Sequence, residues 1–535
     1  MLGRILAAAV VVFSSACTRA APVPARGYHM RAVVKGSGFH TLDGIVLPDV
    51  DHLLAASASS GSIYSWDRRT GKVTTYVGPP KGESDDLVLG GDNSLYWTAI
   101  IEGVIRVRRA DGRIEDIAHD IPGANSLALS RDGRRLFVGQ VFLGDGLWEV
   151  DSTGQRAPRM ILTDIGGLNA FSIGADGMIY GPLWFKHTVV RIGPDSGTIT
   201  TLARDLGSPG AVRIEAQGQI YVLDDATGTI YRIDPAIGAK ARIATLRSAT
   251  DNRIFEPNGD LLVSNMADNS ITEVDPRTGG ARLLISGALA FPKALAFGGP
   301  GDQALFVADT TAVRRVDLRT GSVTDLSRRI ATNLGLPGSV SLTADRIVVT
   351  DDSLGHIQLL DRGDGRIILT MGKLDRPLSG IMLHDGRVVV AEPLHGRVMQ
   401  TLNGDTVPIL TGLNMPTALA DLGDGRLIIG EAGSGTLSER DMKTHKLRRL
   451  ATGLGAIRAV ALAPDGKIAI LDVAGRRALL VDRASGAIRI IATGLPVGYL
   501  SQPYPRSGGI AVGSDNSLYV AADVDNAIYR FTPMR

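Results

Sequence analysis

The feature that most constrains this chain is a unit of about 40 residues that recurs from end to end. It is plain in "GSPGAVRIEAQGQIYVLDDATGTIYRIDPAIGAKARIATL" (207–246), in "FPKALAFGGPGDQALFVADTTAVRRVDLRTGSVTDLS" (291–327) and in "AIRAVALAPDGKIAILDVAGRRALLVDRASGAIRIIATGL" (456–495). Each unit has an apolar strand, an Asp-Gly-like turn, a β-branched strand ending near Asp or Asn, a third strand, a turn of the "RTG" or "ASG" kind, and a fourth strand. A four-stranded sheet of this kind cannot bury both faces alone, so copies must stack side by side around an axis, as propeller blades do.

Counting first-strand starts from Gly38 onward gives twelve units. The expected fold is all-β: two tandem six-bladed β-propellers, twelve four-stranded blades in all. A single twelve-bladed ring is the other arrangement that the count allows. The first propeller is placed at 38–288 and the second at 289–535. The final unit, "SLYVAADVDNAIYRFTPMR", runs out after its third strand. Residues 28–37, which contain the strand-like "HMRAVVKG", are expected to supply the missing outer strand and to remove an open sheet edge.

Residues 1–27 read as a leader and tether. Arg4 precedes the apolar run "ILAAAVVVF" and the small residues "SSAC", the layout of a secretory signal. Cys17, the one cysteine in 535 residues, stands at the end of that run. This implies export to a bacterial periplasm, with Cys17 lipidated as in a lipoprotein; ordinary cleavage near Ala20 is the alternative. Any membrane association would run through that lipid anchor. No later segment is apolar enough for a membrane helix. A formal net charge of +2 without basic or acidic blocks argues against a nucleic-acid partner.

The residue entering each first strand should face the propeller axis. In the first six units that position holds Asp43, Asp85, Asn125, Asn169, Gly210 and Asp251; in the second six it holds Lys293, Gly338, Ser379, Thr417, Arg458 and Gly508. Three carboxylates converging on one axis repel unless offset. Their hard oxygens, with those of the two asparagines, suit a divalent cation such as calcium. Asp43, Asp85, Asn125, Asn169 and Asp251 are therefore the expected metal ligands, and the second ring is expected to hold no such ion. The acids that end the second strands there (Asp309, Asp351, Glu392, Glu431 and Asp472) read as structural, bonding nearby turns.

Two further stretches stand out. "YGPLWFKHTVV" (180–190) places Trp184, Phe185 and His187 at a turn near the axis, and "GQVFLGDG" (139–146) is a long turn that begins with Gln140. Trp184, Phe185 and Gln140 are the expected substrate-contacting residues. His187, Asp43 and Asp251 are the candidate catalytic acids or bases.

"GANSLALSRDGRRLFVGQ" (123–140) resembles the "NGL-x-x-SPDG-x-x-LYVA" signature of the gluconolactonase and senescence marker protein (regucalcin) family. That family's six-bladed propellers hold a divalent metal, usually calcium, on the axis. The resemblance covers the first propeller and implies that Asp43 matches the first acidic ligand, Asn125 or Asn169 the asparagine of the "NG" motif, and Asp251 a later acidic ligand. Ser126 and Ala170 stand where the family has glycine. The implied function is a metal-dependent hydrolase of lactones or esters acting on a small-molecule substrate. A propeller lyase resembling virginiamycin B lyase shares the same metal logic. A non-catalytic envelope scaffold that binds a ligand or a protein partner is the reading from a different class. The chain has no nucleophile elbow, P-loop or zinc motif to point elsewhere.

Overall fold

The computed structural model describes residues 21–215, 217–402, 405–499 and 508–534. Cys17 and the rest of the leader lie outside the described residues. The chain forms twelve antiparallel sheets, numbered here one to twelve in chain order, with two single-turn 3-10 helices at Trp184–Lys186 and Pro393–His395. Among the described residues no helix is long and apolar enough to cross a membrane.

The repeat's punctuation explains the local structure. In sheet three the turn between the strands Ala124–Leu129 and Arg135–Gln140 puts Gly133 at φ +70°, while the Asp132 carboxylate accepts from Ser130 Oγ (2.6 Å) and Arg134 N (3.2 Å). In the "DxRTG" turns an aspartate ties down two following amides: Asp67 accepts from Arg69 N and Thr70 N, Asp317 from Arg319 N and Thr320 N. These Asx turns hold the strands in register.

Each sheet runs from its first strand at one edge to its fourth, which is the opposite edge in every sheet but the eleventh. Two sheets are completed from the N-terminus. Tyr28–Val34 pairs with Ala527–Pro533 as the fourth strand of sheet twelve, and Val23–Pro24 adds a fifth strand to sheet eleven beside Ile488–Thr493.

The buried apolar residues of the described chain form twelve clusters, each between neighbouring sheets. One joins sheet six to sheet one, through Leu262, Ile271, Leu53 and Trp66. Another joins sheet twelve to sheet seven, through Tyr519, Ile528, Leu305 and Val307. Hydrogen bonds link the inner strands in the same order. Gly44 N donates to Asp85 O (2.7 Å), Thr98 Oγ1 to Asn125 O (2.7 Å), Ser126 Oγ to Leu168 O (3.3 Å) and Val212 N to Ala170 O (2.7 Å). Arg253 Nη2 donates to Ala211 O (2.8 Å), and Ser264 Oγ, in sheet six, returns to Asp43 O (2.7 Å).

A recurring irregularity positions the inner side chains. In seven sheets the pairing of the first strand slips near its start, between Ala124 and Ser126, Pro209 and Ala211, Thr250 and Arg253, Pro292 and Ala294, Pro337 and Ser339, Pro416 and Ala418, and Ile457 and Ala459. The skipped residues are Asn125, Gly210, Asp251 with Asn252, Lys293, Gly338, Thr417 and Arg458. A bulge leaves its extra residue out of the ladder and re-aims its side chain. The strand-entrance position is thus set apart by backbone geometry.

Candidate functional site: a buried acidic axis in sheets one to six

The entrance residues of the first six sheets gather into one polar cluster. Asp43 is buried, and its Oδ2 accepts from Ala58 N (2.8 Å). Asn125 Nδ2 donates to Asp85 Oδ1 (2.8 Å). Asp86, also buried, accepts from Leu87 N (2.9 Å), from Leu127 N (3.3 Å) and, from the far side, from Asn252 Nδ2 (2.8 Å). That last bond joins sheet two directly to sheet six.

Two carboxylates of this cluster, Asp86 and Asp225, and several cations do not stand at the strand-entrance positions. Gly210 has no side chain, and a Cβ built there would lie 1.7 Å from Asp225 Oδ2. The buried carboxylate of Asp225 therefore fills the space that the other sheets give to their entrance residue, held by Thr250 Oγ1 (3.1 Å). The doublet Asp224-Asp225 is the trace of this in the sequence: Asp224 binds Gly207 N and Ser208 N, leaving Asp225 to turn inward. Arg213 Nη2 donates to Asn252 Oδ1 (2.7 Å), and Arg253 is fully buried, its Nη2 on Ala211 O and its Nε and Nη1 without hydrogen-bond partners. Arg329, from the seventh sheet's side of the chain, acts electrostatically on Asp43 and Asp85.

Crowding sets the protonation of the acids. Burial, with the Glu83 charge as a smaller contribution, pushes Asp43 up to about 8, against the lowering effects of the Ala58 amide and Arg329. Burial and the charges of Asp43 and Asp251 hold Asp85 well above the ordinary carboxylate range. Asp251 is raised by burial and by Asp43 and Asp86, opposed by Arg213. Asp225 is raised by burial and Asp251. Like charges in a dry site cannot all ionise.

Among the described residues no three Asp, Glu, His or Cys side chains converge closely enough to hold one metal ion. The asparagines are turned to other tasks: Asn125 offers its amide N–H to Asp85, and Asn169 Oδ1 accepts from the following amide, Ala170 N (2.8 Å). Arg213 and Arg329 bring positive charge to the same acids.

Other expected site residues lie elsewhere or are already engaged. His187 is exposed in a positive-φ turn, and its Nδ1 meets Gly207 O at 2.5 Å, which makes it a clip to the next sheet and not a member of the acidic cluster. Gln140 ends a second strand, where its two amide atoms are used internally: Nε2 donates to Pro122 O (2.8 Å), and Oε1 accepts from Trp148 Nε1 (2.7 Å). One N–H of Nε2 and one lone pair of Oε1 are not used by these bonds. Trp184 and Phe185 pack edge-to-face on Phe142, with centroids 5.7 and 6.0 Å apart, so the 139–146 turn and the 184–187 turn form one aromatic cluster. Phe142 and Phe185 remain exposed. The second-strand acids of sheets seven to eleven tie the incoming loop to its own sheet: Asp309 binds Ala290 N and Phe291 N, Asp351 binds Leu336 N, Glu392 binds Asp375 N, Glu431 binds Asn414 N, and Asp472 binds Ala456 N.

No protein-family model matches the chain, and no curated protein does. Among solved structures, the extracellular domain of a B. thetaiotaomicron protein assigned as a hybrid two-component system aligns over 95% of this chain and 83% of its own, at 13% identity and a TM-score of 0.34. A score that low carries no assignment of fold or function.

Proposed function

We propose that this protein is an exported pair of six-bladed propellers, sheets one to six and seven to twelve each closing on itself, and that the axis of the first binds a small molecule rich in hydrogen-bond donors. One observation carries this reading: Asp43, Asp85, Asp225 and Asp251 crowd one buried axis and influence one another's protonation. A fold has no structural need for that many buried acids in one place, because each costs desolvation that packing alone does not return. Spread too widely for one ion to touch three of them, they suit a ligand broader than an ion, such as a polyol or an amine-bearing sugar.

A second reading, hydrolysis of a lactone or ester, is favoured by Asp43. A carboxyl titrating near 8 is poised to take a proton from water close to neutral pH, and its neutral neighbours can donate one to a leaving oxygen. Calorimetric titration with glucosamine, sorbitol, spermidine and calcium chloride, alongside a lactone panel assayed with and without chelator, separates these readings. Binding of an organic probe that is lost in Asp251→Asn supports the first. Lactone turnover that is lost in Asp43→Asn supports the second. Calcium binding that is lost in Asp43→Asn restores the ion site. No heat with any probe and no turnover overturns the binding and hydrolase readings together.

A further inference from the structure

The second set of sheets carries a site of opposite character. A cavity of about 790 Å³ runs between the inner strands of sheets seven to twelve, within the roughly 300–1,000 Å³ of ordinary small-molecule sites. Its wall is drawn from all six sheets and is lined mainly by apolar side chains, among them Ala296, Met382, Ala420, Ala461 and Val512; Asp345, His384, Asp421 and Arg458 are its charged or titratable members. One end lies at the hairpin turns, where Asp345 and His384 are exposed.

The other end holds Arg458, the residue that the bulge at Ile457/Ala459 sets out of its ladder. Arg458 is 4% exposed; its Nη2 donates to Gly338 O (3.2 Å), while its buried Nε has no partner among the described residues. Asp352 and Asp523 act on it electrostatically, but among the described residues neither forms an ion pair with it. Asp523 is already engaged by Gly498 N and Tyr499 N (2.8 Å each), and burial lifts it to about 7, so its charge offsets the arginine only in part. A buried guanidinium with unused donors beside a cavity lined mainly by apolar side chains is an anion site with a largely apolar approach.

We propose that this channel binds a single-chain amphiphile with a carboxylate head, the carboxylate paired with Arg458 and the hydrocarbon chain lying along the inner strands toward the hairpin turns. Arginine's planar fork matches a carboxylate in two-point contact, and the apolar side chains that make up most of the wall accept methylene groups.

The test is calorimetry with dodecanoate below its micellar concentration, compared with dodecanol and dodecyltrimethylammonium. Dodecanoate is expected to bind one-to-one and to raise the melting temperature. Dodecanol should bind about tenfold or more weakly, and the cationic analogue should show no binding. Arg458→Gln should weaken dodecanoate by the same factor and bring it level with dodecanol. Ala461→Phe, which narrows the channel without touching the head site, should weaken both. Asp43→Asn, in the other ring, should leave all three unchanged, so failure here is distinct from failure of the first-ring reading. If Arg458→Gln does not fold, the Ala461→Phe result and the ranking of the three probes decide. No binding of dodecanoate, equal binding of the cationic analogue, or indifference to Ala461→Phe overturns the proposal.

Discussion

Asp43 shows at the scale of one residue what the acidic axis costs. Its folded-state pKa is about 8, against an ordinary value of 3.8. Between those values the folded protein keeps a proton that the unfolded chain has released. Stability is therefore highest at the acid end of that window, falls as pH rises through it, and levels off above about pH 8. Asp43→Asn keeps an oxygen to accept from Ala58 N and removes the titration. The variant should melt several degrees above wild type at about pH 8.5 and level with it at about pH 4.5. Thermal melts at the two pH values check this; an equal difference at both would show that Asp43 does not titrate in that window. Asn125, beside it, illustrates a different limit. That it faces the axis was legible from its place before the turn, but which of its amide atoms points at Asp85 depends on the neighbour's charge, which no residue count reveals.

At the scale of the element, the repeat made the sheets legible because turn chemistry and strand alternation agree in every unit. Aligning units on the turn also found the bulged positions, since a bulge adds one residue at a fixed distance from that turn. What stayed hidden depends on contacts between units. Asp225 replaces a side chain that Gly210 lacks, across a sheet, and the sequence shows only a glycine and an acid doublet. Gln140 looked available because a polar residue at a strand end reads the same whether it faces a ligand or folds back on Pro122 O. Arg329 lies in the other half of the chain. The completing strand was legible from a deficit, since the last unit lacks a partner for its outer edge. Tyr28–Val34 fills that edge and buries Tyr28 and Val34 in two different clusters, about 2 kcal/mol each by burial alone. Deleting residues 28–34 should therefore speed amide exchange throughout Gly509–Pro533 and leave Ala124–Thr163 protected. Faster exchange in sheet three, or none in sheet twelve, would mean that the edge is closed by some other segment.

At the scale of the molecule, the two halves are joined by charge, by a crossing segment and by an aromatic cluster of His40, Phe291 and Tyr499. The loop from Tyr28–Val34 into sheet one passes Phe39, whose carbonyl accepts from Asn269 Nδ2 of sheet six (2.6 Å) and from Asn526 Nδ2 of sheet twelve. Between sheets six and seven stands a buried network of Asp268, Asp309 and Asp325 with Arg247, Arg314 and Arg328. Arg314, its side chain 2% exposed, donates to Asp309 Oδ2 (2.6 Å), to Asp325 Oδ1 (2.5 Å) and to Ala267 O. Arg328 Nη1 binds Asp268 Oδ1 (2.9 Å) and Asp325 Oδ2 (2.6 Å). Arg247 reaches the same acids from the surface, 60% exposed. Removing one partner from a buried network leaves a charge uncompensated, whereas removing an exposed one exchanges protein for water. Arg314→Met should thus cost about 3–5 kcal/mol and separate the unfolding of the two halves, while Arg247→Met should cost about 1 kcal/mol or less. Differential scanning calorimetry tests the contrast. Two resolved transitions for Arg314→Met, against the wild-type profile for Arg247→Met, are the expected outcome. If Arg314→Met keeps the wild-type profile, the halves are held together at Phe39 and its two asparagines, and the charge network contributes little to their coupling.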